Sequence, residues 1–167
     1  MSSEVQLDIV FRVIVALFIG AAIGIEREYR GHAAGVRTLA MVSVGSCVFA
    51  AVGIFVFPGH VTDPTRIAAQ VVTGVGFLGA GAIFRADEGV KGLTTAATVW
   101  VVAALGMSVG FGLYIIATAG AVIVLIGLIL VRPLEIRFLR KPQHPMRRRD
   151  DEVPDLPEPP PERGGTP

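Results

Sequence analysis

The chain has 167 residues, enough for one domain, and its single cysteine, Cys47, excludes an internal disulfide. Hydrophobic residues make up 52% of it and charged residues only 17%, whereas about a quarter of the residues in a soluble domain are charged. This balance excludes an ordinary water-soluble globule. The formal net charge of +1 indicates no particular partner, and no nucleic acid is expected.

The first apolar segment predicts a membrane span over about residues 5–25, although only residues 13–25 are free of charge. Asp8 and Arg12 are four residues apart with the acid first, so we expect them to pair on one helical face at the outer end. Gly20 and Gly24 form a G-x-x-x-G pattern. This pattern favours a close helix contact, either within the chain or between two copies in a homodimer.

Two further uncharged runs predict spans over residues 38–57 and 67–84. The third span matches the G-x-G-x-x-G dinucleotide pattern, but it lacks the strand, helix and acid that this fingerprint needs. Its small residues instead predict a smooth helix that others can approach closely, and hence a central place for this span in the bundle. The glycines concerned are Gly74, Gly76, Gly79 and Gly81.

Residues 92–131 contain no charged residue and no histidine. As one helix this run would extend roughly 60 Å, about twice the thickness of a bilayer's hydrocarbon core. It therefore predicts two spans, residues 92–107 and 113–131, with a turn at residues 108–112.

The distribution of Lys and Arg predicts the orientation. The six segments before, between and after the five spans alternate: those on one side carry three, two and seven such residues, and those on the other carry one, one and none, counted up to residue 149. The positive-inside rule then places the N-terminus outside and the C-terminus in the cytoplasm. The sequence thus predicts an all-α integral membrane protein with a five-span domain over residues 1–141. Residues 142–167, rich in proline and charge, predict a disordered cytoplasmic tail.

Charged residues at the cytoplasmic face form one candidate polar site. They are Glu26, Arg27, Arg37 and Arg85. These charges either set the topology as interface residues, or form an ion-paired cluster in which Glu26 meets Arg37 or Arg85. Within the spans, Gln70 needs a hydrogen-bond partner in lipid.

The hydroxyls of the fourth span, at Thr94, Thr95 and Thr98, either bond back to their own helix or meet Gln70 across an interface. The three histidines are scattered over separate segments and predict no metal site. No catalytic motif is present, so we expect a protein that is not an enzyme and has no cofactor.

Three stretches of the sequence are distinctive: IGIERE at 23–28 with GVRT at 35–38, RIAAQVVTGVGFLGAGAI at 66–83, and KGLTTAATVW at 91–100. Together they resemble the MgtC/SapB family of bacterial inner-membrane proteins. The resemblance implies a five-span inner-membrane domain and a role in growth or survival when magnesium is scarce. Members named after MgtC carry a soluble ACT-like domain where this chain has its Pro-rich tail, so it is more similar to the short, SapB-like members.

The expected partners are the lipid bilayer and another integral membrane protein. We interpret the chain as a modulator of a membrane machine such as an ion pump or ATP synthase. The alternative is a transporter or channel for Mg²⁺ or another ion. Against this alternative, no Asp or Glu is expected deep in the bilayer.

Overall fold

The computed structural model describes residues 2–55, 63–86 and 89–138. Within them the chain forms five α-helices and one short β-hairpin between the third and fourth helices. In chain order the elements are α1 (Ser3–Tyr29), α2 (Val36–Phe55), α3 (Pro64–Gly81), β1 (Phe84–Ala86), β2 (Gly89–Lys91), α4 (Leu93–Gly110) and α5 (Tyr114–Phe138). The predicted tail, residues 142–167, lies outside the described residues.

Each predicted span overlaps one of these helices, but the ends differ. Helix α1 begins at Ser3, ahead of the predicted span, and α5 runs to Phe138, past the Arg132-Pro133 pair predicted to end it. Charged residues mark where a hydrocarbon layer ends, whereas a helix ends only where its backbone hydrogen bonding does. The predictions therefore located the apolar part of each helix better than its ends.

Among the helices in the described residues, four are long and apolar enough to cross a membrane: α1, α2, α4 and the part of α5 from Tyr114 to Val131. The coarse prediction of a mostly helical, multi-pass membrane protein is thus confirmed. Helix α3 is not among the four, because its first turn holds Arg66 and its middle holds Gln70 and several glycines, which lower its hydropathy.

Two glycines end helices and fix the turns that follow. Gly31 after α1 and Gly112 after α4 both have positive φ angles, of 73° and 78°. At each, the amides of the glycine and of the next residue donate to carbonyl oxygens of the last helical turn. After α1, the Gly31 amide donates to Glu28 and the His32 amide donates to Arg27. This Schellman arrangement satisfies carbonyls that a helix end leaves free, and it reverses the chain within a few residues.

The core of the bundle is formed by α1, α2 and α4, which contact one another, and α2 packs closely on both of the others. Gly20 of α1 lies so close to α2 that an added Cβ would stand 2.6 Å from the Leu39 carbonyl oxygen. From α4, a Cβ at Gly106 would overlap the backbone of Ser43, the residue whose Cβ would lie 2.8 Å from one at Gly20. Gly110 lies over Cys47 in the same way. The helices therefore approach through backbone contact, which small residues permit in a membrane.

The sequence predicted a central α3, and this prediction was wrong. Helix α4 is central, because it contacts α1, α2, α3 and α5, whereas α3 packs only on one side, against α4 and α2. An added Cβ at Gly74, Gly76 or Gly81 would meet nothing within 4 Å. Only Gly79 of this helix faces a neighbour, with Ala96 of α4 3.6 Å away. Small residues permit close approach but do not show that a partner helix is present in the same chain.

A two-stranded antiparallel hairpin joins α3 to α4, with Arg85 opposite Val90. The hairpin was not predicted from the sequence, because the uncharged run of the third span continues to residue 84. Gly92 connects the hairpin to α4 with a φ of 93°, and a Cβ there would overlap the Ala82 carbonyl oxygen. Only glycine fits this position.

Candidate functional site

The bundle has two polar ends, which we name after one residue of each. The Glu26 end contains the end of α1, the start of α2 and the start of α4. There Glu26 forms an ion pair with Arg30 one turn later, with Oε1 and Nε 2.6 Å apart. Glu26 has a side chain only 9% exposed, and Arg27 beside it is 2% exposed. This end therefore holds buried charge of both signs next to the apolar helices.

The expected partners of Glu26 are not the ones found. Arg37 and Arg85 are exposed, and neither forms an ion pair with a residue that the structure describes. The pairing of Glu26 with Arg37 or Arg85 was thus wrong, because Arg30 lies on the same face of α1, four residues on, and reaches the carboxylate first. Arg37 and Arg85 remain available as surface charge.

Glu28 contributes to this end in a way that the sequence analysis missed. Its carboxylate accepts a hydrogen bond from the backbone amide of Val36, with Oε2 and N 2.9 Å apart, and so caps the start of α2. A carboxylate at a helix N-terminus satisfies a free amide and complements the helix dipole. The sequence signal for this cap was an acid, Glu28, that comes shortly before the glycine-containing turn leading into α2.

The Arg12 end lies opposite and includes the start of α1, the end of α4 and the start of α5. Arg12 pairs with Asp8 at 2.8 Å, as expected, and also donates a hydrogen bond from Nη1 to the Gly110 carbonyl oxygen at 2.8 Å. Its guanidinium lies 4.9 Å from the centre of the Phe55 ring. Arg12 therefore ties α1 to the last turn of α4, a role that its spacing from Asp8 alone could not reveal.

One of the threonines of α4, Thr98, bonds within its own helix. The Thr98 hydroxyl donates to the Thr94 carbonyl oxygen at 2.7 Å. Thr94 is exposed, and Thr95 is buried beneath the turn that joins α1 to α2. Gln70 does not meet them: it faces α2 instead, and among the described residues its amide has no hydrogen-bond partner.

A cleft separates α2 from α3, since these two helices touch each other over only a short stretch. Its larger part is a cavity of about 540 Å³ lined almost wholly by apolar groups, with Arg66 and Gln70 of α3 and Ser46 of α2 as its polar members. A second cavity of about 240 Å³ continues it towards Thr95, and the two share Val42 and Leu78 in their walls. The cleft therefore runs from the Arg12 end towards the Glu26 end along one side of the bundle.

The candidate residues from the sequence thus divide by location. Glu26, Arg27 and Arg37 belong to the Glu26 end, Thr95 lies beneath it, and Gln70 and Gly74 line the cleft. Gly20 and Gly24 pack on α2, where a Cβ at Gly24 would stand 2.5 Å from the Val36 Cα. In the described part of the chain, no group of three or more His, Cys, Asp or Glu residues could hold a metal ion.

Comparison with known proteins identifies relatives across bacteria. Residues 13–137 match the MgtC family. YhiD of Escherichia coli K12, whose name proposes a magnesium transporter, is 43% identical over 143 residues, which cover 82% of this chain and 66% of YhiD. The protein slr0014 of Synechocystis sp. PCC 6803 is 42% identical, and the protein MgtC of Salmonella typhimurium LT2 is 41% identical.

These two matches each extend over 133 residues and cover 80% of this chain and 56% of the relative. The chain thus matches between a little over half and about two thirds of the length of these relatives. No solved structure matches it.

Proposed function

Because the chain belongs to the MgtC family, we propose that it acts in the bacterial inner membrane as a modulator of another membrane machine, such as an ion pump or ATP synthase. The modulation would serve the cell when magnesium is scarce, and the protein itself would not act as an enzyme. The link to magnesium draws on the family and on the name of the YhiD relative.

The observation that carries this proposal is the contrast between a closed bundle centre and an open side. Helices α1 and α4 meet α2 through backbone contacts at Gly20 and Gly106, which leaves no space for a chain of water between them. The α2–α3 cleft instead opens sideways, towards the bilayer. Such a surface suits the binding of a membrane component more than the passage of an ion, which needs a path lined by carboxylates or free carbonyls.

The proposal includes five crossings, with the two ends of the chain in different compartments. Helix α2 ends beside Arg12, because Phe55 lies against that guanidinium, whereas α4 begins at the Glu26 end, because Thr95 lines the same cavity as Ala34. Helix α3 must therefore traverse the bundle between them. Its 18 residues extend about 27 Å, close to the thickness of the hydrocarbon core. By the positive-inside rule, the Glu26 end faces the cytoplasm.

A transporter is the second candidate, and the buried charges of the Glu26 end favour it. Glu26 and Arg27 lie where an inner mouth would be, and a carboxylate at such a position is a common element of ion paths. The two candidates differ in what the purified protein does alone.

Reconstitution of the full chain into liposomes with a fluorescent Mg²⁺ indicator separates the two candidates. We expect no flux above that of empty liposomes. Flux that is present in the wild type and lost in the Glu26→Gln variant would establish the transporter instead.

The modulator itself is tested by cross-linking in intact membranes, followed by mass spectrometry. A pump or synthase captured with the protein must change its activity when the purified chain is added back. If no captured machine responds, the modulator proposal fails.

A further inference from the structure

The α2–α3 cleft has the size and the polarity of a binding site. Its larger cavity, about 540 Å³, falls within the range of about 300–1,000 Å³ that is usual for ligand pockets. Gly45 on α2 and Gly74 on α3 leave the cavity open, because neither has a side chain to fill it. An added Cβ at either position would meet nothing within 4 Å. Something from the surrounding membrane must fill such a space.

Along one face of α3, the groups that line the cleft change in order from polar to apolar, and Ser46 adds a hydroxyl group from α2. Arg66, Gln70, Gly74 and Leu78 are spaced four residues apart, and all four line the cavity. Each step of four residues advances roughly 6 Å along the helix. From the end of the helix inward, the cleft therefore presents a cation, then an amide, then bare backbone, then an apolar side chain.

This order matches the order of chemical groups in a glycerophospholipid. The headgroup layer on each side of the hydrocarbon core is about 5–8 Å thick, so one step from Arg66 to Gln70 passes from the phosphate level to the level of the ester groups. Arg66 can donate charge-assisted hydrogen bonds to a phosphate. The amide of Gln70, which has no partner among the described residues, can donate to an ester carbonyl. Gly74 and Leu78 then face the acyl chain.

We propose that the α2–α3 cleft binds one glycerophospholipid, with its phosphate at Arg66, its ester group at Gln70 and an acyl chain over Gly74. A second copy is less well matched to the cleft, because a symmetric contact between two α3 helices would bring Gln70 to Gln70 but would also bring Arg66 to Arg66, where a phosphate supplies the opposite charge. The inference rests on the proposed crossing of the membrane by α3, but it is independent of whether the protein modulates a machine or transports an ion.

Native mass spectrometry and thermal unfolding of the full chain in detergent test the site, with dioleoyl phosphatidylglycerol as the probe. The wild type should retain one lipid and unfold at a higher temperature when the probe is added. Gly74→Leu and Gly45→Leu, which fill the cleft from its two walls, should each weaken binding about tenfold or more. Gly76→Leu is the matched control, since Gly76 is equally open but lies outside the cleft.

The headgroup is tested separately. Arg66→Ala should weaken phosphatidylglycerol binding by about tenfold and leave binding of dioleoylglycerol, which lacks a phosphate, unchanged. Arg37→Ala is the control, because Arg37 is also an exposed arginine in the first turn of a helix. Inorganic phosphate alone should stabilise none of these proteins, because it offers nothing to the apolar part of the cleft.

Two outcomes would overturn the inference. Equal lipid retention by Gly74→Leu, Gly45→Leu and Gly76→Leu would show that the lipid does not lie in the cleft. A wild-type dimer that the cleft variants alone dissociate, with the lipid count unchanged, would assign the cleft to a second copy. Both readouts use the isolated protein, so neither depends on flux or on a captured machine, and a failure here leaves the proposed function to its own tests.

Discussion

Gly106 has no side chain at the point where α4 crosses α2, and a Cβ there would overlap the Ser43 backbone. We predict that Gly106→Leu prevents stable assembly, at a cost of about 3 kcal/mol or more, because backbone cannot move aside as a flexible side chain can. Size-exclusion chromatography and thermal unfolding in detergent measure this. Gly127→Leu in α5 is the control, since nothing lies within 4 Å of a Cβ at that position. Equal stability of the two variants would contradict backbone contact between α2 and α4.

Arg12 is the second residue with an effect beyond its own helix. Its hydrogen bond to the Gly110 carbonyl oxygen satisfies the last turn of α4, and its charge complements the negative end of that helix. Arg12→Gln should lower the free energy of unfolding by about 1.5–3 kcal/mol, the usual contribution of a hydrogen bond to a charged group. Chemical unfolding measures the loss. Arg37→Gln should be nearly neutral, and a similar loss in both variants would argue against a specific role for Arg12.

Single residues also show which contacts could be predicted from the sequence. The Asp8–Arg12 pair was predictable because its partners are four residues apart on one helix. The contact of Arg12 with Gly110 was not, because it joins residues 98 positions apart. Gly106 and Gly110 form the same G-x-x-x-G pattern as Gly20 and Gly24, and this overlooked repeat was the one sequence signal for the packing of α4 on α2.

At the scale of elements, α3 differs from its neighbours in how it begins. Asp63 caps it by accepting a hydrogen bond from the Thr65 amide at 2.9 Å, and Pro64 occupies its first turn. Hydrogen bonds from the side chain and backbone of Thr65 hold the pKa of the Asp63 carboxyl below its ordinary value. A lowered pKa means that the cap stabilises α3 above the ordinary carboxyl pKa and is lost as the pH falls through the lowered one.

We predict that this cap gives a pH-dependent difference between two variants. Asp63→Asn keeps a side-chain acceptor at every pH, whereas wild-type Asp63 loses its charge in acid. The advantage of the wild type over Asp63→Asn in melting temperature should therefore shrink as the pH falls through the carboxyl range. A difference that stays constant from neutral to acid pH would show that the charge of Asp63 does not contribute.

The five helices were predictable, because runs without charge are long and their boundaries carry Arg or Pro. The arrangement of the helices in the bundle was less predictable. Hydropathy and small residues show which segments avoid water and which can pack closely, but not which neighbours they meet. The α3 glycines were therefore misread as a central packing surface, and the hairpin from Phe84 to Lys91 was missed because three-residue strands carry almost no periodic signal.

At the scale of the whole molecule, an odd number of crossings has a direct test. We predict that Ser3→Cys and Thr166→Cys, each in a Cys47→Ala background, lie in different compartments. An impermeant maleimide applied to intact spheroplasts should label the first and should label the second only after the membrane is opened. Labelling of both cysteines in intact spheroplasts would show an even number of crossings and contradict the five proposed.

The packing of α2 on both α1 and α4 also sets an order of events during synthesis. Helices α1 and α2 are neighbours in the chain and pack along much of their length, so they can pair as soon as both have left the ribosome. The groove that they leave at Ser43 and Cys47 lacks its protein partner until α4 emerges, because Gly106 and Gly110 of α4 are the residues that pack there. A nascent chain stalled after α3 would thus hold an unfinished seam, open to quality-control proteases until the fourth helix arrives.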